Sequence, residues 1–141
     1  MKGRKRHLLV DTNGLMLQVL VHSASVQERA GARRLLQNVG FDASRMELIW
    51  ADSGYWGAPF AEWVQKNRGW KVEVISRNEL VNRHKGTPAF VALPRRWVVE
   101  RTFAWIGRWR RLACDYEHNP RSSEAWIYVA MIGLLLNRLH D

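Results

Sequence analysis

Residues 46–57, MELIWADSGYWG, decide the fold class. The run 46–51 is short and mostly apolar, the composition of a strand buried within a sheet. It ends on Asp52, and the Ser-Gly-Tyr-Trp-Gly that follows turns the chain. In an open α/β sheet ligands gather at the carboxyl ends of strands, so an acid at this point is a candidate functional group. A local role is equally open, with Asp52 bonding its own backbone in an Asx-turn ahead of Gly54.

Working back from this strand, residues 7–11 and 15–22 are β-rich runs joined through Thr12, Asn13 and Gly14. Asn-Gly between such runs signals a hairpin. Ser25 followed by Glu28 forms a capping-box pattern, predicting a helix over 26–39 with Ala30, Leu35 and Leu36 toward one face and Gly40 as its stop. Working forward, 59–67 reads as a helix with Phe60, Trp63 and Val64 inward, closed by Gly69, and 70–76 as a strand alternating around Val72 and Val74. Residues 77–88, RNELVNRHKGTP, form a polar and basic loop, either solvated surface or a place to meet DNA. A brief strand over 89–93 follows.

Residues 94–112, PRRWVVERTFAWIGRWRRL, hold one carboxylate, Glu100, among six arginines. Pro94 suits a first helical turn and no proline follows before Pro120, so a single helix of about five turns is expected. Val98, Val99, Thr102, Phe103, Trp105, Ile106, Trp109, Leu112 and Ala113 recur at steps of three and four as an inward stripe. The opposite face carries Arg96, Trp97, Glu100, Arg101, Ala104, Arg108 and Arg111. Glu100 either pairs with Arg96 for a few tenths of a kcal/mol, or holds a metal ion on a face whose cations neutralise a phosphate backbone. The second role requires another carboxylate. Beyond a turn at 115–120, Ser122 or Ser123 caps a last helix through Leu139 whose apolar positions run nearly all round, so the helix is expected to be core, with Trp126 and Tyr128 as packing groups.

At 141 residues the chain is one domain's worth, with 22 Lys plus Arg against 13 Asp plus Glu and a formal charge of +9, the footprint of a polyanionic partner. The longest apolar run, 125–136, is short of the roughly 20 residues a spanning helix needs, which argues against a membrane. The basic start, MKGRKRHLLV, lacks a signal-peptide core, so the chain is expected in the cytoplasm. Its first residues read as a disordered arm or a phosphate contact. Cys114, the one cysteine, excludes an internal disulfide and reads as a small core hydrophobe. His7, His22, His84, His118 and His140 show no metal-ligand spacing.

Asp52 in WADSGYWG and Glu100 in the arginine helix resemble motifs of bacterial insertion-sequence transposases of the DDE type, in the family five group. KGRKRHLLVDTNGL and VHSASVQERAGA extend the resemblance over essentially the whole chain. It implies an α/β, RNase H-like fold, a mixed sheet flanked by helices in which carboxylates converge on two divalent ions, Mg2+ or Mn2+. It further implies Asp52 and Glu100 as catalytic metal ligands, with Arg96, Arg101, Arg108 and Arg111 on DNA. Arg96 matches the arginine four residues before the family's Glu; the aromatic usual three residues earlier is Leu93 here, and Gly107 stands where a basic residue is usual, one before Arg108.

Such a sheet begins with three antiparallel strands before its first helix, the earliest bearing the first catalytic Asp. Only two precede Ser25, so residues 1–141 are expected to be one N-terminally truncated catalytic domain lacking that strand and its acid. Asp11, in the family's VDT, looks like a turn-former. The implied function is metal-dependent cleavage and strand transfer at transposon ends and target DNA, with the first Asp supplied elsewhere, by a separately encoded N-terminal half. The alternatives are a catalytically inactive DNA-binding fragment or regulator, and a stand-alone nuclease using Asp11. Pairing of two copies, and a place at the bacterial nucleoid, complete the expectations.

Overall fold

The hairpin forms where the β-rich runs predicted it, and its faces follow from the strand period of two. In the computed structural model, which describes residues 3–74 and 96–140 and only the backbone of Arg96, β1 (Arg4–Val10) pairs antiparallel with β2 (Met16–Ser23), in register from Arg4 opposite Ser23 to Leu9 opposite Gln18. α1 (Glu28–Gln37), β3 (Leu48–Ala51), a 3-10 turn (Ser53–Tyr55), α2 (Ala58–Arg68) and β4 (Lys71–Val74) follow. Then come α3 (Arg96–Gly107), α4 (Arg110–Ala113) and α5 (Pro120–His140). The architecture is mixed α/β with two small sheets, β1–β2 antiparallel and β3–β4 parallel. The expected loop at 77–88, the strand at 89–93 and the helix start at Pro94 lie outside the described residues.

The chain divides into two compact units, Met1–Gln27 with Val98–Asp141, and Glu28–Trp97. In the second, the parallel pair is joined through α2, and the buried apolar residues are Ala32, Leu35 and Leu36 of α1, Phe60 and Val64 of α2, and Trp70. Arg68 closes the end of α1, its Nε donating to the Leu36 carbonyl at 2.6 Å and an Nη to that of Gln37 at 2.5 Å. Helix α1 starts at Glu28, two residues later than the capping-box pattern predicts, because the Ser25 hydroxyl bonds the Ser23 hydroxyl at 2.9 Å.

In the first unit, Leu8, Met16, Val19 and Val21 of the hairpin pack with Ile106, Leu112, Ile127, Ala130 and Met131. The five-turn helix is a correction: it breaks after Gly107. Glycine is the weakest helix former after proline, and beyond it the N–H groups of Arg108 and Trp109 bond carbonyls three residues back while Trp109 turns extended, at φ −78 and ψ 115. The Trp109 ring then lies on α5 at Gly133, where an added Cβ would come within 2.8 Å of it. The inward stripe is accordingly narrower than predicted: Val98, Thr102, Ile106 and Leu112 are buried, whereas Phe103, Trp109 and Ala113 are exposed.

Three further corrections follow from local geometry. Asn119, not a serine, caps α5: its side-chain oxygen accepts from the Arg121 N–H at 3.0 Å, with Pro120 at the first helical position. Cys114 is exposed just past α4 rather than in the core. The basic start is a strand rather than a free arm over its described part. Arg4 pairs with Asp115 at 3.2 Å, Lys5 donates to the Val26 carbonyl at 3.1 Å, and Arg6 to that of Leu112 at 3.0 Å.

The hairpin loop is built to sit on α3. The Gly14 N–H bonds the Asp11 carbonyl at 3.1 Å and Asp11 N–H bonds the Leu15 carbonyl at 2.9 Å, a three-residue loop with Gly14 left-handed at φ 82. The Thr102 hydroxyl, fully buried, donates to the Gly14 carbonyl at 2.6 Å, and Arg101 donates to that of Asn13 at 2.5 Å. A Cβ at Gly14 would stand 3.0 Å from Thr102 Oγ1. Gly14→Ala is therefore expected to cost about 2–3 kcal/mol from backbone strain and crowding, and Thr102→Val about 1–3 kcal/mol by leaving a buried carbonyl unpaired. Urea unfolding should show the double variant losing less than the sum, because both act on one contact.

Candidate functional site

Asp52 stands immediately past the carboxyl end of β3, whose parallel partner β4 runs the same way. The chain leaves the strand at φ −73 and ψ 164 and enters the Ser53–Tyr55 turn, where the N–H groups of Tyr55 and Trp56 bond back to the Asp52 and Ser53 carbonyls at 2.9 and 3.0 Å. Asp52 is exposed, and its Oδ1 accepts from the Ser53 N–H at 2.7 Å and the Ser53 hydroxyl at 3.3 Å. The local reading is met through Ser53: Oδ1 is held by these bonds, and Oδ2 makes no hydrogen bond among the described residues. Gly57, at φ 135, lets the chain swing into α2 directly behind this turn.

Glu100 is exposed on α3. It belongs to the unit that contains Val98–Asp141, and Asp52 to the unit Glu28–Trp97. The side chain of Arg96, and with it the expected Arg96–Glu100 pair, lies outside the described residues. Arg101 is engaged with the Asn13 carbonyl and lies over the Trp105 ring, 4.7 Å from its centre; Arg138 of α5 lies over the same ring at 4.6 Å. Arg111 pairs with Glu117 at 2.8 Å and lies over Trp126 at 4.4 Å. Arg108 is exposed and makes no side-chain bond among the described residues. Arg110, which the sequence reading passed over, is its equal, and the helix break after Gly107 is what turns it outward.

Asp11 is occupied by its own loop: Oδ1 accepts the Asn13 N–H at 2.8 Å and the Leu15 N–H at 2.9 Å. His7 and His22 stack ring on ring at 4.7 Å across the hairpin. Among the described residues no group of three or more His, Cys, Asp or Glu is arranged to hold a metal ion, and no helix is long and apolar enough to cross a membrane.

The two aromatics beside Asp52 differ. Tyr55 is half-buried with its ring 6.0 Å from Phe60, whereas Trp56 is exposed. Glu28, read from the sequence as a cap, instead packs α1 against the turn after Asp52, close enough to Gly54 that a Cβ there would meet its Cγ at 3.7 Å. Burial, then the charges of Glu28 and Asp52, push the Tyr55 hydroxyl up to about 12. An α1 acid beside the strand end was not legible as such, because nothing in the local spacing ties residue 28 to residue 52.

The described residues thus form a mixed α/β chain with an acid at a strand end and an arginine-bearing helix. The chain belongs to the transposase DDE domain family, whose model matches residues 1–135. It is 27% identical over 144 residues to a Burkholderia cepacia protein titled "Putative transposase for insertion sequence element IS402", covering 97% of this chain and 64% of the relative. It therefore spans less than two thirds of that relative's length. No solved structure matches it.

Because the Tyr55 phenol holds its proton more tightly folded than unfolded, its contribution to stability is complete below about pH 10 and is lost as pH rises toward 12. Tyr55→Phe should remove that part of the alkaline loss, read from unfolding midpoints between pH 9 and 12.

Proposed function

We propose that this chain supplies two of the three carboxylates of a DDE transposase, Asp52 and Glu100, for metal-dependent DNA cleavage and strand transfer at insertion-sequence ends. The observation that carries this reading is the placement of Asp52 past the end of a parallel strand, with one carboxylate oxygen held by Ser53 and the other toward solvent, in a chain of this family. The donor set is hard oxygen, which fits Mg2+ or Mn2+. Asp52 and Glu100 would hold the ions, which when bound supply Lewis-acid stabilisation of the phosphorane-like charge. Ser53 fixes the orientation of Asp52. Arg108 and Arg110 take phosphates, while Arg101 and Arg111 hold the helices that present them. Trp56 offers an exposed ring to an unpaired base.

The fold is read as RNase H-like without its first strand. Supporting this, the outward Val21 N–H of β2 is capped by Glu124 at 2.9 Å, which leaves β1 as the edge to which a further strand adds. That strand would carry the third carboxylate on a separately encoded segment. The second reading, a DNA-binding fragment without catalysis, is favoured by Asp11, whose commitment to its turn leaves Asp52 and Glu100 as the two candidate catalytic carboxylates.

The test is nicking of DNA bearing the element's ends in Mg2+ or Mn2+, with and without the complementing segment. Asp52→Ala and Glu100→Ala should each lower cleavage at least about 1,000-fold, with Asp11→Ala near wild type once its lower stability is allowed for. Binding without cleavage in every form selects the second reading. In binding titrations, Arg108→Ala and Arg110→Ala should each reduce the slope of log K against log salt by about 1, while Arg111→Ala changes stability more than that slope.

A further inference from the structure

Two surface features go unused by the fold. Helix α5 is not wholly core as expected: its outer face exposes Ile132 at 55%, Leu136 at 60% and Leu139 at 84%. The other feature is Arg29 on the first turn of α1, exposed and without a side-chain bond or ion pair among the described residues. An apolar face names no single occupant, whereas an unbonded guanidinium calls for an anion.

What sets Arg29 apart is where its charge lies. Its Nη1 comes within 3.2 Å of the place a Cβ would occupy at Gly57, so the guanidinium rests on the turn that leaves Asp52. Gly57 is held at φ 135, a conformation that glycine adopts without strain, and the bare backbone there lets the cation come close. The arginines that fasten this chain donate to carbonyls: Arg6 to Leu112, Arg68 to Leu36 and Gln37, Arg101 to Asn13, and Arg33, one turn further along α1, to Pro59 at 3.3 Å. Arg29 lies over backbone and donates to none among the described residues. It is not a clamp.

The turn also sets a distance. With the Ser53–Tyr55 3-10 turn between them and roughly 2 Å of rise per residue, Asp52 and Gly57 are on the order of 10 Å apart. A DNA strand rises about 3.4 Å per nucleotide, so a phosphate at Arg29 lies within about three nucleotides of one at Asp52. Beyond burial, the charges of Glu28 and Asp52 both act on the Tyr55 hydroxyl, so a strand approaching this turn meets two carboxylates. A cation at its far end offsets that repulsion.

We propose that Arg29 binds a backbone phosphate of the DNA strand whose scissile bond is brought to Asp52, within about three nucleotides of that bond, and so holds the strand in line with the acid. This rests on the reading of Asp52 as a catalytic carboxylate. The contact is to phosphate, so it positions the strand and reads no sequence. A guanidinium meets a phosphate with two N–H groups at once, which fixes direction as well as distance.

Binding of DNA bearing the element's ends, followed by fluorescence anisotropy in EDTA, tests the contact apart from the chemistry, because cleavage needs the metal. Arg29→Ala should weaken binding about 5- to 10-fold at 0.1 M salt and lower the slope of log K against log salt by about 1, with an unchanged urea midpoint. Arg29→Lys should restore the slope, and Trp56→Ala, which removes a neutral ring from the same turn, should leave it as in wild type. A neutral methylphosphonate, placed singly at about three linkages either side of the cleavage point, should weaken the wild-type chain at one linkage and leave Arg29→Ala indifferent there. A wild-type slope in Arg29→Ala overturns the inference, as does a loss of affinity matched by a loss of folding stability, equal sensitivity of both proteins at every linkage, or a wild-type chain with no affinity for this DNA. Cleavage that survives Asp52→Ala while these binding results hold overturns the catalytic reading of Asp52 and leaves the Arg29 contact standing.

Discussion

The buried bond from the Thr102 hydroxyl to the Gly14 carbonyl decides where the acid-bearing helix sits in its unit. Thr102 is also bonded to the Val98 carbonyl one turn back, so a single hydroxyl couples the helix's own ladder to the tip of the hairpin. Glu100 lies two residues before it and Arg101 one before. Any shift of the hairpin tip is therefore a shift of the turn that presents the acid. This also gives Asp11 its purpose: by holding two N–H groups of the loop it shapes the tip that Thr102 grips. The acid that resembles a catalytic residue by its position in a strand-end motif is part of the mount.

Charge is distributed by a similar logic. A formal excess of nine cations reads as a surface for polyanions, yet Arg4, Arg6, Arg68, Arg101 and Arg111 close helix ends, stack on indoles or join distant segments. Guanidinium suits this, since its planar fork donates to carbonyls while its face lies on an aromatic ring. Under the proposed function the polyanion-facing cations are drawn from the remainder, Arg108 and Arg110 foremost, so a count of basic residues overstates that surface.

What could be read from the sequence was what depends on short spacing. The hairpin, α1, the parallel pair around α2 and the strand-end position of Asp52 follow from runs of alternating or periodic apolar residues and the glycines between them. The break after Gly107 was hidden because Trp109 matches the apolar period and leaves the helix only for its contact with Gly133, 24 positions on. The helix cap was misplaced because a serine pair competes with Asn119-Pro120, and the serine at 123 is drawn instead to Asp115. The roles of the arginines were illegible in principle: paired and unpaired guanidinia carry the same letter. Glu28 was misassigned because its neighbour, Gly54, is 26 residues downstream, a relation no periodicity records.

The first unit is assembled from the two ends of the chain, with the second unit inserted between them. During synthesis the hairpin is made early, but Ile106, Leu112, Ile127 and Met131, which cover its apolar face, come last. So does Glu124, whose carboxylate stops the Val21 N–H from recruiting another strand. For most of the time the ribosome is at work, the nascent hairpin holds an uncovered face and an open edge, the two features that invite misassembly. Completion of α5 is thus the event that covers the apolar face of the hairpin and closes its β2 edge, and a chain halted before residue 120 would carry both uncovered.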